Sequence, residues 1–232
     1  MWDILKNRWR QGHRTTGFPP KEELPERFRG RPRTQEGGSV DLGRCFFSAD
    51  ADRDAAGALL NYSRNYRLAV SRREDLNLKG EELKLAGRLD AAMQKLFGRS
   101  LKLRAVCAGS CNGCDLELQA LSNVVFDLSR FGIQFVASPR HADGLVVTGP
   151  VTRNMELALK KTYDAVPDPK IVIAVGACAI SGGPFEGSSE VLNGADKSIP
   201  VDLYIPGCPP HPLTLLDGLL RLLGRIRGKN HV

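Results

Sequence analysis

The sequence predicts an α/β protein whose second half forms a parallel sheet with helices on both faces. From about residue 101 onwards, five short apolar runs alternate with amphipathic stretches, which is the order of parallel strands and their crossover helices. Residues 1–100 lack this alternation. With 232 residues, 42% of them hydrophobic and 25% charged, the chain is able to bury a core.

The first hundred residues predict an irregular N-terminal extension with little regular structure. The stretch "TTGFPPKEELPERFRGRPRTQEGG" is rich in Arg, Pro and Gly and has little periodicity, so we expect an extended segment that follows a partner surface. An apolar-periodic stretch covers about 53–70. Apolar residues at helical spacing then predict a helix over about 79–98; they are Leu83, Leu85, Leu89, Met93 and Leu96.

The remaining elements follow from residue 101 onwards. The five apolar runs predicted as strands are "LKLRAVCAG", "IQFVASP", "DGLVVTGP", "KIVIAVGAC" and "VDLYIPGC". The amphipathic stretches 114–131, 152–165 and 212–226 are predicted as helices. We therefore place a domain boundary near residue 100, with an extension over 1–100 and an α/β domain over 101–232.

Charge and hydropathy narrow the possible functions. The net charge is +7, and its excess lies almost wholly in residues 1–100, which carry 20 Lys and Arg against 14 Asp and Glu. Acids are mixed into this region and no nucleic-acid-binding motif occurs in it, so we expect a solvated or partner-facing surface and no nucleic acid. No apolar run reaches the ~18 residues that span a membrane, and "MWDILKNRWRQGH" lacks the apolar core of a secretory signal. These features predict a cytoplasmic protein.

Six cysteines in a reducing compartment indicate metal or redox chemistry rather than structural disulfides. Cys107 and Cys111 follow the first predicted strand, Cys178 ends the fourth, and Cys208 ends the fifth. Because the carboxyl ends of parallel strands meet at one edge of a sheet, we expect these thiols to gather there.

Three chemistries compete for these sulfurs. The pair Cys111–Cys114 precedes a predicted helix, as in a dithiol oxidoreductase, but a dithiol enzyme does not need Cys178 and Cys208. Structural zinc usually takes two close pairs of ligands, whereas single cysteines follow one pair here. A [4Fe–4S] cluster accepts one C-x-x-C pair plus distant cysteines, and nearby glycines let backbone approach its sulfides. We favour the cluster. Cys107 is expected to be a buried bystander; the alternative is that it replaces one of the pair as a ligand.

Four segments resemble a known family in order and spacing. They are "SCNGCDLEL", "FGIQFVASPRHADGLVVTGPVTRNM", "DPKIVIAVGACAISGG" and "IPVDLYIPGCPP". This stretch, roughly 101–226, resembles the small subunit of group 4 membrane-bound [NiFe] hydrogenases, including the formate hydrogenlyase type. That family is similar to the 20 kDa complex I subunit that carries the terminal cluster. In complex I proper the first two ligand cysteines are adjacent. The spaced Cys111–Cys114 pair is therefore typical of the hydrogenase branch.

The resemblance implies a flavodoxin-like core that holds one [4Fe–4S] cluster beside the large subunit's active site. Its ligand positions fall on four cysteines of this chain, Cys111, Cys114, Cys178 and Cys208. Glu117 falls on the family's acidic position just after the pair, where it would relay protons. Arg140 and His141 occupy a motif beside the cluster, where a cation would make reduction easier.

The N-terminal part resembles the ferredoxin-like subunit of the same complexes. The matching pieces are "ERFRGRP", "VDLGRCFFSADADRDAAGALL" and "NYRLAVSRREDL". A C-x2-C-x2-C-x3-C quartet that starts at Cys45 would require three more cysteines, and Ser48, Ala51 and Ala55 stand there instead. One thiolate cannot hold a cubane. The likeness therefore implies a cluster-less remnant kept for docking.

The resemblance predicts the electron-transfer subunit of a membrane-associated [NiFe]-hydrogenase or complex I-like oxidoreductase, not catalytic alone. Its expected partners are a hydrogenase-type large subunit, a ferredoxin-like subunit and, by peripheral contact, the membrane arm. The expected location is the cytoplasmic face of the membrane. Two alternatives stay open: a nickel-free, quinone-linked module of the complex I type and a structural zinc-binding module.

Overall fold

The fold is that of a computed structural model, which describes residues 2–12, 14–34, 38–80, 82–98 and 100–226. The N-terminal hundred residues hold few regular elements. Two helices, α1 and α2, span Trp2–Gln11 and Ala91–Phe97, and a 3-10 helix spans Arg73–Leu76. Four short strands lie between them: β1 at Pro32–Arg33, β2 at Ser39–Asp41, β3 at Asn61–Tyr62 and β4 at Asn77–Lys79. They form two antiparallel pairs, β1–β3 and β2–β4.

The second half forms one five-stranded sheet. Its strands are β5 at Leu101–Cys107, β6 at Ile133–Phe135, β7 at Gly144–Thr148, β8 at Ile171–Val175 and β9 at Leu203–Ile205. All neighbours pair in parallel, in the order β6-β5-β7-β8-β9. Counted from β5, this is the flavodoxin-like order 2-1-3-4-5. The predicted fold class is confirmed, and each of the five apolar runs contains one strand.

Helices cover both faces of the sheet. They are α3 at Gly113–Ala120, α4 at Arg153–Ala165, α5 at Gly176–Ser181 and α6 at Pro212–Leu222. Four 3-10 helices join them, at Leu128–Phe131, Pro139–His141, Gly183–Phe185 and Ala195–Lys197. Every residue of β7 and β8 is buried, which is why these strands read as continuous apolar runs rather than as alternating ones.

The sheet divides the interior into two apolar clusters. One contains Leu118 of α3 and Leu219 of α6, packed with strand residues such as Leu103 and Ile173. The other contains Leu159 of α4 and strand residues such as Val147, together with side chains from the N-terminal part. Leu42, Leu76 and Leu78 from that part are fully buried. The irregular extension thus completes the core of one face.

The extension also covers an edge of the sheet. Val70 N donates to Tyr204 O at 3.0 Å, and Tyr204 N donates to Val70 O at 2.9 Å. This antiparallel bridge satisfies backbone groups of β9, the last strand of the sheet. An exposed edge strand is a template for association with other chains, so the extension protects β9.

The helix predicted over about 79–98 is correct only in its last third. Residues 82–90 are not helical, because tertiary hydrogen bonds take the place of helical ones. Ala86 N donates to Ala69 O at 2.8 Å, and Leu89 N donates to Leu222 O at 2.9 Å. The helix α2 begins after Asp90, whose side chain accepts from Met93 N, a standard N-cap bond.

Candidate metal centre

Three loops converge at the carboxyl edge of the sheet, and each carries predicted ligands. The loop after β5 leads through Cys111 into α3, with Cys114 in its first turn. Cys178 lies in α5, directly after β8, and Cys208 follows β9. Ala177 N donates to Gly207 O at 2.8 Å, which fixes the second loop against the third.

Close contacts show that the first loop reaches both others. A Cβ added at Gly176 would lie 2.5 Å from Cys114 Sγ and 3.4 Å from Gly207 O. A Cβ added at Gly113 would lie 3.6 Å from Cys111 Sγ and 3.7 Å from Cγ of Pro209. The structure thus brings Cys111, Cys114, Cys178 and Cys208 to one place, as the strand-end rule predicts.

Neighbouring thiols affect the pKa values of Cys114, Cys178 and Cys208. Burial, followed by Cys178, Cys208 and Cys111, raises the pKa of the Cys114 thiol to about 12. Burial, followed by Cys208 and Cys111, raises the pKa of Cys178 to about 11. Burial and Cys111 also raise the pKa of Cys208. Burial is the largest cause of these raised pKa values of Cys114, Cys178 and Cys208, and repulsion between neighbouring thiolates adds to it.

No three Cys, His, Asp or Glu side chains in the described parts of the chain lie close enough to hold one metal ion. A tetrahedral zinc ion would draw its sulfurs to about 2.3 Å from a single point. The four thiols lie at the carboxyl edge of the sheet without forming such a group.

Gly176 is the backbone position on which this packing depends. Its φ of +88° lies in the left-handed region, and the space beside it is filled by Cys114 Sγ. Gly176→Ala is expected to displace Cys114 and to lower iron incorporation several-fold, because a separation of 2.5 Å between the new Cβ and Cys114 Sγ is a steric clash. Iron and sulfide analysis of the purified variant measures the effect.

Gly187→Ala is the matched control for this substitution. Gly187 has a similar φ of +82° but nothing within 4 Å of an added Cβ. It therefore introduces the same backbone strain without the clash. Equal iron content in the two variants would contradict the assignment of Gly176 to the site.

A hydrogen-bond network that the sequence did not reveal holds the first loop. Asp115 accepts from Ser110 Oγ at 2.5 Å and from Thr148 Oγ1, at the end of β7, at 2.9 Å. Ser110 Oγ in turn accepts from Asn112 N and lies 3.1 Å from Cys107 Sγ. The sequence shows Asp115 directly after the C-x-x-C pair. Its partner Thr148 is 33 residues away in the chain, and only the pairing of β5 with β7 brings the two side chains within hydrogen-bonding distance.

Cys107 is an exposed thiol, so the expectation that it is buried is wrong. It is the last residue of β5, and its Sγ lies 3.1 Å from Ser110 Oγ.

Glu117 is half-buried in α3, and burial raises its pKa. It lies three residues after Cys114, which places the two side chains on the same face of the helix. This position follows from helical spacing, so a role for Glu117 at the site stays a prediction.

Arg140 and His141 are placed elsewhere. Both are exposed in the 3-10 helix that leads into the amino end of β7. The nearby Asp143 forms two hydrogen bonds with Lys102, which lies near the amino end of β5. Asp143 N donates to Lys102 O, and Lys102 N donates to the Asp143 carboxylate. This is the edge of the sheet opposite to the cysteines. The structure does not bring Arg140 and His141 together with the thiols.

The loop that resembles a degenerate cluster site is built around a carboxylate. Asp52 is buried and accepts from Phe46 N at 3.0 Å, Ser48 N at 2.7 Å and the Tyr62 hydroxyl at 2.6 Å. Burial, then Asp52, raises the pKa of the buried Cys45 thiol to about 12, so this thiol is a poor nucleophile and ligand. Asp52 also raises the pKa of Cys208, because the loop lies beside the third ligand-bearing loop.

Fold and site together define a class: an α/β protein with a parallel sheet and with thiols at the carboxyl edge of that sheet. Comparison with known proteins agrees. The chain belongs to the family described as NADH ubiquinone oxidoreductase, 20 Kd subunit, whose profile matches residues 111–222. This family consists of subunits of oxidoreductase complexes, so the predicted enzyme class and family resemblance are confirmed.

Several relatives are named as subunits of two kinds of complex. Formate hydrogenlyase subunit 7 of Escherichia coli is 46% identical over 62% of this chain and 56% of its own length. The chain thus spans just over half of that relative. The probable membrane-bound hydrogenase subunit mbhJ of Pyrococcus furiosus is 46% identical, over 59% of this chain and 81% of that protein. An NADH-quinone oxidoreductase subunit of Bacteroides thetaiotaomicron is 46% identical, over 66% of this chain and 77% of that protein.

One solved structure is similar in fold and sequence. A chain of the membrane-bound sulfane sulfur reductase, an archaeal respiratory membrane complex, superposes with a TM-score of 0.51 and 36% identity. The match covers 59% of this chain and 75% of that one. In the described part of the present chain, no helix has both the length and the apolar content needed to cross a membrane.

Proposed function

We propose that the chain is an electron-transfer subunit that binds one [4Fe–4S] cluster through Cys111, Cys114, Cys178 and Cys208. The observation that carries the proposal is the meeting of three loops, each with a thiol, at one edge of the sheet. A bound cluster of this kind supplies one-electron transfer. The chain's own residues hold the ligands in place and set their surroundings.

The residues present fit such a group. The thiols repel each other as thiolates, so an iron–sulfur core would offset a charge that the protein leaves uncompensated. Gly176 leaves backbone rather than a side chain against Cys114 Sγ. The Asp115 network fixes the turn between Ser110 and Cys114, so the first two ligands are oriented before anything binds.

The competing chemistries fit less well. A dithiol enzyme uses only the Cys111–Cys114 pair and leaves Cys178 and Cys208 without a role. Structural zinc usually takes two close pairs of ligands, whereas one pair is followed here by two single cysteines. Glu117, half-buried beside the pair, is suited to move a proton at the partner-facing side of the site.

The spaced pair Cys111–Cys114 favours the hydrogenase branch for the complex as a whole. The proposed partners are a hydrogenase-type large subunit, against which the cluster site would lie, a ferredoxin-like subunit and a membrane arm contacted from its cytoplasmic face. We assign residues 1–100 to docking. A nickel-free, quinone-linked complex is the second candidate, because several relatives are named as NADH-quinone oxidoreductase subunits.

Metal analysis of the full chain, purified or reconstituted without oxygen, tests the proposal. We expect about four irons and four sulfides per chain and a reducible cubane signal in electron paramagnetic resonance. One zinc with no iron would overturn it in favour of a structural module. Nickel analysis of the complex isolated through this chain separates the two candidate complexes, because only the hydrogenase type contains nickel in its large subunit.

A further inference from the structure

The N-terminal helix α1 exposes an unusual amount of apolar surface. Trp2 is 78% exposed, Leu5 57% and Trp9 88%. The chain contains two tryptophans, and both are in this ten-residue helix. Large aromatic side chains in water are costly, so a covering surface is expected in the working protein.

These three side chains form one stripe along α1. The spacing i, i+3, i+7 places Trp2, Leu5 and Trp9 on one side of a helix. Ile4, Asn7 and Arg8 lie outside the stripe and line a groove of about 590 Å³ together with the loop of residues 122–127, although Ile4 is itself 72% exposed.

The helix is held at this surface by the segment that follows it. Thr16 N donates to Val125 O at 2.8 Å, and Thr16 O accepts from an Arg130 guanidinium nitrogen at 2.6 Å. The Phe18 ring packs edge-on against Tyr66 and Phe131. These contacts anchor the chain a few residues after α1, and every residue from Trp2 to Arg10 is exposed.

The charges around the stripe are mostly positive. The described helix carries Lys6, Arg8 and Arg10 against the single acid Asp3. On a helix with about 100° between successive residues, Lys6 and Arg10 flank the stripe on one side and Arg8 on the other. Tryptophan and leucine on one face with lysine and arginine beside them is the pattern of helices that lie in a membrane interface.

We propose that α1 lies flat in the interface of an anionic lipid bilayer, with Trp2, Leu5 and Trp9 buried among the acyl chains and Lys6 and Arg10 at the headgroups. Its length of ~15 Å is too short to cross a bilayer and sufficient to lie along one. A lipid surface suits the stripe better than a protein groove, because indole rings concentrate at the headgroup boundary and the flanking cations match anionic lipid. This proposal needs no cluster and goes beyond the electron-transfer function.

Tryptophan fluorescence of the full chain tests the proposal directly, because the whole signal comes from α1. Vesicles of phosphatidylcholine with phosphatidylglycerol are expected to shift the emission to the blue and to carry the protein upwards in flotation. Phosphatidylcholine alone, or high salt, is expected to weaken binding, because the cations then lose their partners. An unchanged emission and no flotation would overturn the proposal in favour of a protein partner.

Two variants that add the same charge to α1 distinguish the contribution of the apolar stripe from that of net charge. Leu5→Glu places a carboxylate in the stripe and is expected to weaken vesicle binding about tenfold or more. Asn7→Glu adds the same charge on the groove side and is expected to weaken binding much less. Equal weakening of vesicle binding by both variants would contradict insertion of the apolar stripe. Circular dichroism verifies folding, and iron content measured in the same samples reports the cluster separately, so either proposal can fail alone.

Discussion

Cys178→Ser is expected to abolish cluster binding, with iron falling from about four atoms per chain to near zero. Cys178 lies in α5 and comes from a different loop than the Cys111–Cys114 pair. Its removal leaves three ligands for four irons. Serine is close to cysteine in size, so the fold is expected to persist, and circular dichroism should be unchanged while iron and the paramagnetic signal are lost.

Cys107→Ser is the matched control, since it removes a neighbouring thiol outside the proposed ligand set. Cys107 is exposed, with its Sγ 3.1 Å from Ser110 Oγ, a contact that a serine hydroxyl can also make. Iron content is expected to stay at the wild-type level. Retention of iron in Cys178→Ser together with its loss in Cys107→Ser would show that the ligand set is misassigned.

Asp217→Ala is expected to cost about 3–5 kcal/mol of the free energy of unfolding. Asp217 and Arg221 are four residues apart in α6, and their side chains are 2% and 5% exposed. Arg221 Nε donates to Asp217 Oδ2 at 2.6 Å. Removing the carboxylate leaves a guanidinium buried without its partner at this atom, which is the costly case for a buried ion pair. Urea unfolding followed by circular dichroism measures the loss.

Two controls separate burial from the ion pair itself. The double substitution Asp217→Leu with Arg221→Leu removes both charges and is expected to be far milder than the single one, because no unpaired charge stays inside. Glu156→Ala breaks a pair with Lys160 at the same spacing on the more exposed α4, and about 0.5 kcal/mol or less is expected. Similar losses from Asp217→Ala and Glu156→Ala would contradict this explanation.

Local sequence pattern was sufficient for the sheet and wrong over part of two helices: the one predicted over about 79–98 forms only at Ala91–Phe97, and the one predicted over 114–131 ends at Ala120. Apolar runs such as "KIVIAVGAC" predict β8 correctly, because a strand buried on both faces leaves a continuous apolar signature. The leucines around 83–89 have helical spacing, yet Ala86 and Leu89 bond distant backbone groups instead. Spacing alone cannot distinguish a helix face from an extended segment packed in a groove.

The amino-acid sequence by itself determined the fold class, the family and the edge of the sheet at which the cysteines meet. These follow from residue order, because parallel strands place the residues that follow them at one edge. Only the tertiary structure decided what surrounds the thiols: Thr148 bonded to Asp115, Gly176 against Cys114, and Arg140 at the opposite edge. Such contacts join residues that are far apart in the chain, and their distances are set by strand register and helix packing rather than by any local pattern.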